Sequence, residues 1–141
     1  MSDGYVLGID FGLKHIGIAV GQTVTRTANG LTTLTAQKGK PNWLELDELI
    51  QQYRPIALVV GLPLNMDDTP SDMSALASDF ARQLASRTRH PVFLADERLS
   101  SWAVRSSENG ADEGIHNASA ALIAQTFLND PSNCHGVGKD G

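Results

Sequence analysis

Cysteine is almost absent from this chain, since Cys134 is the only one in 141 residues. A single thiol in a polar stretch excludes a disulfide framework and any metal site built from several cysteines, which fits a reducing cytoplasm. Long apolar runs are missing too. No segment approaches the ~18 apolar residues that cross a bilayer, and no basic stretch leads into an apolar one near Met1. The expected setting is therefore cytoplasmic, with no membrane partner. Positive charge is also scarce: sixteen acidic residues against eleven basic ones leave a net charge of −5. That balance opposes indiscriminate adhesion to nucleic-acid phosphates, so a nucleic-acid function has to rest on a local site.

What remains is an ordinary globular composition, 41% hydrophobic and 19% charged, without repeats or low-complexity segments. Disordered and fibrous classes are excluded. The length suits one domain with a proper core. That domain is expected over residues 1–130, with a flexible tail over 131–141 where Pro131 is followed by Gly- and Asn-containing sequence with little to bury.

Tyr5–Ile9 is a short apolar run ending in Asp10-Phe11-Gly12. Ile16, Ile18 and Val20 then alternate with small residues, so two strands joined by a tight turn open the fold. A third strand is expected between Arg26 and Leu34, weakened by Gly30. Trp43, Leu46, Leu49, Ile50 and Tyr53 share one helical face, with Asn42 placed as cap and Arg54-Pro55 as the stop. Ile56–Val60 is continuously apolar, as in a strand covered on both faces, and Gly61-Leu62-Pro63 is expected to end it. Met73, Leu76, Ala77, Phe80, Ala81 and Leu84 mark a second helix, with Ser71 as its cap. Val92–Ala95 is a short strand running into Asp96-Glu97; Ser101–Ser107 has a weaker helical pattern, and a last helix covers Ala118–Leu128. This order predicts an α/β fold, a mixed sheet of five strands with helices on its faces. Trp43, Met73 and Phe80 belong to its core by spacing.

In such sheets chemistry gathers beyond the carboxyl ends of strands. Two of the predicted strand ends carry acids, Asp10 and Asp96-Glu97. Carboxylates so placed suit a hard divalent cation, and Gly12 allows a phosphate to approach closely. Asp before Gly is also common turn chemistry, and Asp96-Glu97-Arg98 alone would be a solvated strand end. His15 and His116 flank these segments, and neither is assigned a role in catalysis.

Several motifs agree in order and spacing: Gly8-Ile9-Asp10-Phe11-Gly12 with Lys14 and Ile16-Gly17-Ile18-Ala19-Val20-Gly21, then Val60-Gly61-Leu62-Pro63-Leu64-Asn65-Met66-Asp67, then Asp96-Glu97-Arg98-Leu99-Ser100. Together they resemble the YqgF/RuvX family from about Val6 to Leu128. The resemblance implies a ribonuclease H-like fold related to the RuvC resolvases, and a nuclease that trims the precursor of 16S ribosomal RNA. It implies Mg2+ or Mn2+ as cofactor, structured nucleic acid as partner with RNA favoured over DNA, and contact with ribosomal precursor particles. Members were first described as candidate Holliday junction resolvases. The family's acidic site maps onto Asp10, onto Glu97, and onto an aspartate opening the last helix. Asp10 and Glu97 become the metal ligands, with Lys14 and Gly12 on the substrate side.

At the third acidic position this chain has Asn117. Asn caps a helix about as well as Asp, so Asn117 is expected as the N-cap of the last helix, with the charge removed. An amide oxygen still ligates Mg2+, but the lost charge weakens the site, and reduced activity is expected. Asp112 and Glu113 just upstream are expected in a solvated loop, and Glu108–His116 carries no Lys or Arg. Asp68 stands where the family has glycine. Three functions stay open: a pre-rRNA nuclease, a Holliday junction resolvase-type DNA nuclease, and a catalytically weakened protein that binds RNA or a ribosome-assembly partner. Gly8–Gly12 also resembles the phosphate-binding hairpin of actin-like ATPases, but those enzymes need two such lobes and this chain has room for one.

Overall fold

In a computed structural model of the chain, residues 4–64, 72–98 and 112–137 are described. Strand β1 (Tyr5–Asp10) turns into β2 (His15–Gln22), and β3 (Thr27–Gln37) pairs with β2 in turn, all antiparallel. A two-residue strand, β4 (Lys40–Pro41), folds back on β3. Helix α1 (Trp43–Tyr53) leads to β5 (Ala57–Leu64), helix α2 (Asp72–Thr88) to β6 (Val92–Arg98), and helix α3 (Asp112–Asn129) to a short 3-10 helix (Pro131–Asn133) and strand β7 (His135–Gly136).

The sheet runs β4-β3-β2-β1-β5-β6-β7, with β1, β5 and β6 parallel and the remaining pairs antiparallel. The mixed sheet is as expected, but it has seven strands and not five. The additional pair, β4 and β7, are two residues long at opposite edges, too short to leave any alternation in the sequence. β7 and the 3-10 helix also carry regular structure past Pro131, because Val137 donates a backbone hydrogen bond to the Val92 carbonyl at 2.8 Å and Cys134 packs on the core.

Alternation along the strands divides the core into two layers. Leu7 and Ile9 of β1, Ile16 and Ile18 of β2, and Leu58 and Val60 of β5 face α1 and α2, where Leu46, Ile50, Phe80 and Leu84 complete a fully buried cluster. Val6 and Val59 face the other way, onto Ile123, Phe127 and Leu128 of α3. Each large side chain so buried contributes about 1.5–3 kcal/mol. Ala57 through Val60 are all buried, as a strand covered on both faces requires.

Local chemistry sets the boundaries. Asn42 caps α1, its Oδ1 accepting from the Leu44 N–H at 3.0 Å, and Arg54 ends it in left-handed backbone with φ 46°. β5 does not stop at Gly61-Leu62-Pro63 but continues to Leu64. Beyond Val60 its β1 neighbour has ended and only β6 pairs with it, so Pro63 sits where one side of the strand no longer needs an N–H donor. Ser74 in α2 is buried and donates its hydroxyl to the Pro63 carbonyl, tying the helix to that strand end. Asp68, Ser71 and Ser101–Ser107 lie outside the described residues.

The largest departure concerns α3, which begins at Asp112 and not at Ala118. Asn117 is therefore not an N-cap but lies in the second turn. Gly114 would ordinarily cost about 1 kcal/mol inside a helix. Packing of the helix on the sheet offsets it. Asp112 and Glu113 are helical, not loop.

Candidate functional site

A row of small residues brings α3 down onto the central strands. Gly8 of β1 pairs with Ala19 of β2, which pairs with Gly30 of β3 beside a bulge; Asp10 pairs with Gly17 two residues along. A β-carbon at Gly8 would lie 2.4 Å from the Ala120 carbonyl oxygen, and one at Gly17 only 2.1 Å from that of His116. One at Gly30 would come within 3.0 Å of the Asn117 β-carbon. Helix backbone thus rests almost directly on strand backbone, and only glycine permits the approach. Gly30, which weakened the strand prediction, is one of the residues that seat the helix.

This seating sets the surroundings of Asp10. Its carboxylate is at the carboxyl end of β1 and its side chain is 21% exposed. The imidazole of His116 faces it, with Nδ1 3.7 Å from Oδ2. That separation is longer than a hydrogen bond and short enough for an ion pair when the ring is protonated. His15, the first residue of β2, lays its ring against that of His116, 5.3 Å between centroids and tilted by 31°. The two histidines given no catalytic role thus meet at the principal candidate carboxylate. Their only signal in the sequence was proximity to the Asp10 and Asn117 segments, because the predicted start of α3 fell beyond His116.

The other candidates are placed as follows. Glu97 lies in β6 opposite Pro63 of β5, two residues further along the parallel register than the level of Asp10, and β5 runs between them. Strand spacing and rise then separate the two α-carbons by on the order of 12 Å. Asn117 is half-buried and lies over Gly30, one strand beyond Gly17. Lys14 is exposed in the β1–β2 turn. Gly12 has a steric reason of its own, since a β-carbon there would stand 2.4 Å from the His15 carbonyl oxygen. Asp96 is exposed, with His135 Nε2 3.7 Å from its Oδ1. Among the described residues, no group of three or more His, Cys, Asp or Glu side chains is disposed to hold a metal.

The core around the site is aromatic. Phe11, next to Asp10, packs on Phe80 at 5.1 Å between centroids, and Phe80 stacks on Trp43 at 5.7 Å. Trp43 is covered in turn by the Arg87 guanidinium, 4.9 Å from its centroid, and Arg87 donates to Asp47 at 3.0 Å. Phe80 is buried in the core and Trp43 packs half-buried against it, as their helical spacing predicted.

Residues 4–130 match the RuvX family, described as Holliday junction resolvase. The chain belongs to the RuvX family. Its class is accordingly that of a nuclease, a hydrolase of phosphodiester bonds. A relative from Pseudomonas putida is 46% identical over 131 residues, 87% of this chain and 93% of the relative, and is provisionally named a pre-16S rRNA nuclease. One from Pseudomonas fluorescens, with the same provisional name, is 44% identical over 133 residues, 89% of this chain and 92% of its own. Among solved structures, RuvC of Thermus thermophilus in complex with a Holliday junction substrate aligns with a TM-score of 0.55 at 20% identity, covering 94% of this chain and 99% of that one. The RuvX chain therefore has the RuvC-type, ribonuclease H-like fold that its motifs predicted. Among the described residues no helix is long and apolar enough to cross a membrane.

Proposed function

We propose that this RuvX protein is a divalent-metal-dependent nuclease, located in the cytoplasm, that processes the precursor of 16S ribosomal RNA during ribosome assembly. The observation that carries the reading is Asp10: a partly exposed carboxylate at the end of a central parallel strand, held against His116 by a helix seated on glycine. The names of the relatives at 44–46% identity support the choice of RNA.

The donor set fits a hard cation. Asp10, Glu97 and Asn117 offer oxygen donors, the preference of Mg2+ and Mn2+. Asp10 and Glu97 would hold the ion, with the Asn117 amide oxygen as a neutral third donor. Such an ion, when bound, supplies positive charge that lowers the pKa of water and stabilises the phosphoryl transition state. The chain's own residues do the rest. His116 restrains the Asp10 carboxylate, His15 buttresses His116, and Lys14 contacts a substrate phosphate. α3 closes one side of the site through its contact with Gly17 and Gly30.

The test is cleavage of precursor 16S rRNA and of a four-way DNA junction by the natural protein with Mg2+ or Mn2+, beside Asp10→Asn and Asn117→Asp. RNA cleavage lost in Asp10→Asn is expected; cleavage of the junction alone would replace RNA by DNA as substrate. One observation favours a second reading, a weakened enzyme that chiefly binds RNA: the neutral side chain at position 117. Under that reading the natural protein binds the RNA without cleaving it and Asn117→Asp restores cleavage; under the first the natural protein already cleaves and Asn117→Asp raises its rate.

A further inference from the structure

Lysine is rare in this chain, with four in all, yet three of them line one cleft. It has a volume of about 910 Å3 and is walled by Lys14 from the β1–β2 turn, Lys38 and Lys40 from the β3–β4 hairpin, and polar Thr35, Gln37 and Asn42. The three lysines are exposed, and among the described residues no acidic side chain lines the cleft, although acids outnumber bases in the sequence. Among the described residues, no ion pair engages any of them. The nearest acid along the chain on the α1 side is Glu45, in that helix's first turn.

The arrangement is built, not a chance gathering of flexible tips. Lys38 and Gly39 both have positive φ, 51° and 82°, which gives the tight primed-type hairpin that bends β3 back into β4. Gly39 is buried, and a β-carbon on it would stand 2.8 Å from the Phe11 ring. Its N–H donates to the Leu13 carbonyl at 2.9 Å, and the Ala36 N–H donates to the Lys14 carbonyl at 2.8 Å. The backbone of the hairpin is therefore stitched to the turn that follows Asp10. Lys38 adopts a backbone conformation that non-glycine residues seldom occupy, so a charged side chain is presented at some conformational cost.

We propose that the Lys14–Lys38–Lys40 cleft is the track that grips the phosphodiester backbone of the RNA substrate and leads it to Asp10. Lysine supplies a compact charge without base preference, and Thr, Gln and Asn add hydrogen bonds to phosphate and sugar oxygens. The cleft answers how a protein of net charge −5 holds a polyanion: positive charge is concentrated in one cleft whose Lys14 stands in the turn after Asp10, and acidic surface elsewhere suppresses non-specific binding. The proposal rests on the nuclease reading and adds the surface that binds the substrate.

The experiment measures binding of a fluorescein-labelled RNA stem-loop with a single-stranded tail by fluorescence anisotropy, in chelator and across a salt series, with cleavage of the same RNA measured separately in Mg2+. The test variant is Lys38→Asn with Lys40→Gln; Asn tolerates the positive φ at 38. The charge-matched control is Arg26→Asn with Arg54→Asn, two positive-φ positions in turns outside the cleft. Lys38→Arg with Lys40→Arg is the rescue. Losing two phosphate contacts is expected to weaken binding about tenfold near 0.1 M salt and to flatten the slope of log affinity against log salt by about 1.4. The control and the rescue are expected to bind as the natural protein does. Cleavage by the natural protein with unchanged affinity and slope in the lysine variant overturns the cleft and leaves the nuclease reading standing. An equal loss in the arginine control also overturns it, in favour of general charge. If the natural protein neither binds nor cleaves the RNA, the nuclease reading fails and the cleft proposal fails with it.

Discussion

Adding one methyl group at Gly17 tests whether α3 is seated as described. The β-carbon of Gly17→Ala would lie 2.1 Å from the His116 carbonyl oxygen, 2.4 Å from its carbonyl carbon and 3.0 Å from the Asn117 nitrogen. All three are backbone atoms, so no side-chain rotation relieves the clash. The helix must withdraw by about 0.9 Å merely to reach the 3.0 Å that real contacts respect. A gap of that size forfeits a quarter to a half of each dispersion contact it opens, and the helix buries Ile123 and Phe127 behind it. Overpacking of this kind costs about 2–3 kcal/mol, and for a domain of this length that is a fall in Tm of about 6–12 °C. Gly136→Ala is the control, because its β-carbon would meet only the Phe93 ring, at 3.8 Å. It is expected to melt within about 2 °C of the natural protein, as surface changes within ±0.5 kcal/mol do. Thermal unfolding followed by circular dichroism reads both. A Gly17→Ala variant that melts with the natural protein would refute the close seating of α3, and with it the account of how His116 reaches Asp10.

Further outcomes follow from other contacts. His116→Gln, which removes the imidazole 3.7 Å from Asp10, is expected to slow metal-dependent cleavage by about 10–100-fold, as loss of a group supporting a metal ligand does, with little change in Tm; an unchanged rate counts against His116 as a positioning residue. Asn42→Ala removes the Oδ1 acceptor of the Leu44 N–H and is expected to cost about 1 kcal/mol in urea unfolding, whereas Asn42→Asp costs almost nothing. Burial first, then the nearby charges of Asp130 and Asp96, raise the Cys134 thiol pKa. The thiolate is thereby disfavoured in the folded chain, so iodoacetamide at mildly alkaline pH labels native protein more slowly than urea-unfolded protein. By linkage, the same shift supports the fold below the ordinary thiol pKa and is lost as pH rises through the raised one.

Much of this architecture is legible from local patterns. The β1–β2 pair, α1 with its Asn42 cap, the buried β5 run and the face of α2 follow from alternation, helical spacing and capping, rules that act over a few residues. What escaped them depends on contacts distant in sequence. β5 passes through Pro63 because β1 ends early, which no local rule at Gly61-Leu62-Pro63 reveals. α3 begins ahead of its predicted start, and its His116–Asn117 turn is seated on Gly17 and Gly30 of the sheet. That longer helix turned Asn117 from a cap into a second-turn residue and carried His116 to Asp10. Asp10 itself was evident from its strand end and motif. Its imidazole neighbours, and the convergence of Lys14 with Lys38 and Lys40, emerge only once the hairpins fold.

The central claim is that Asp10 is the metal-holding carboxylate of a nuclease, and one measurement meets it directly: precursor 16S rRNA incubated with the natural protein and with Asp10→Asn, each with and without Mn2+, and the products resolved by length. The account predicts cleavage by the natural protein only with the metal, and a loss of about 100-fold or more in Asp10→Asn, the scale on which charge-stabilising groups at a reacting phosphate act. Metal-dependent cleavage that survives intact in Asp10→Asn would contradict it.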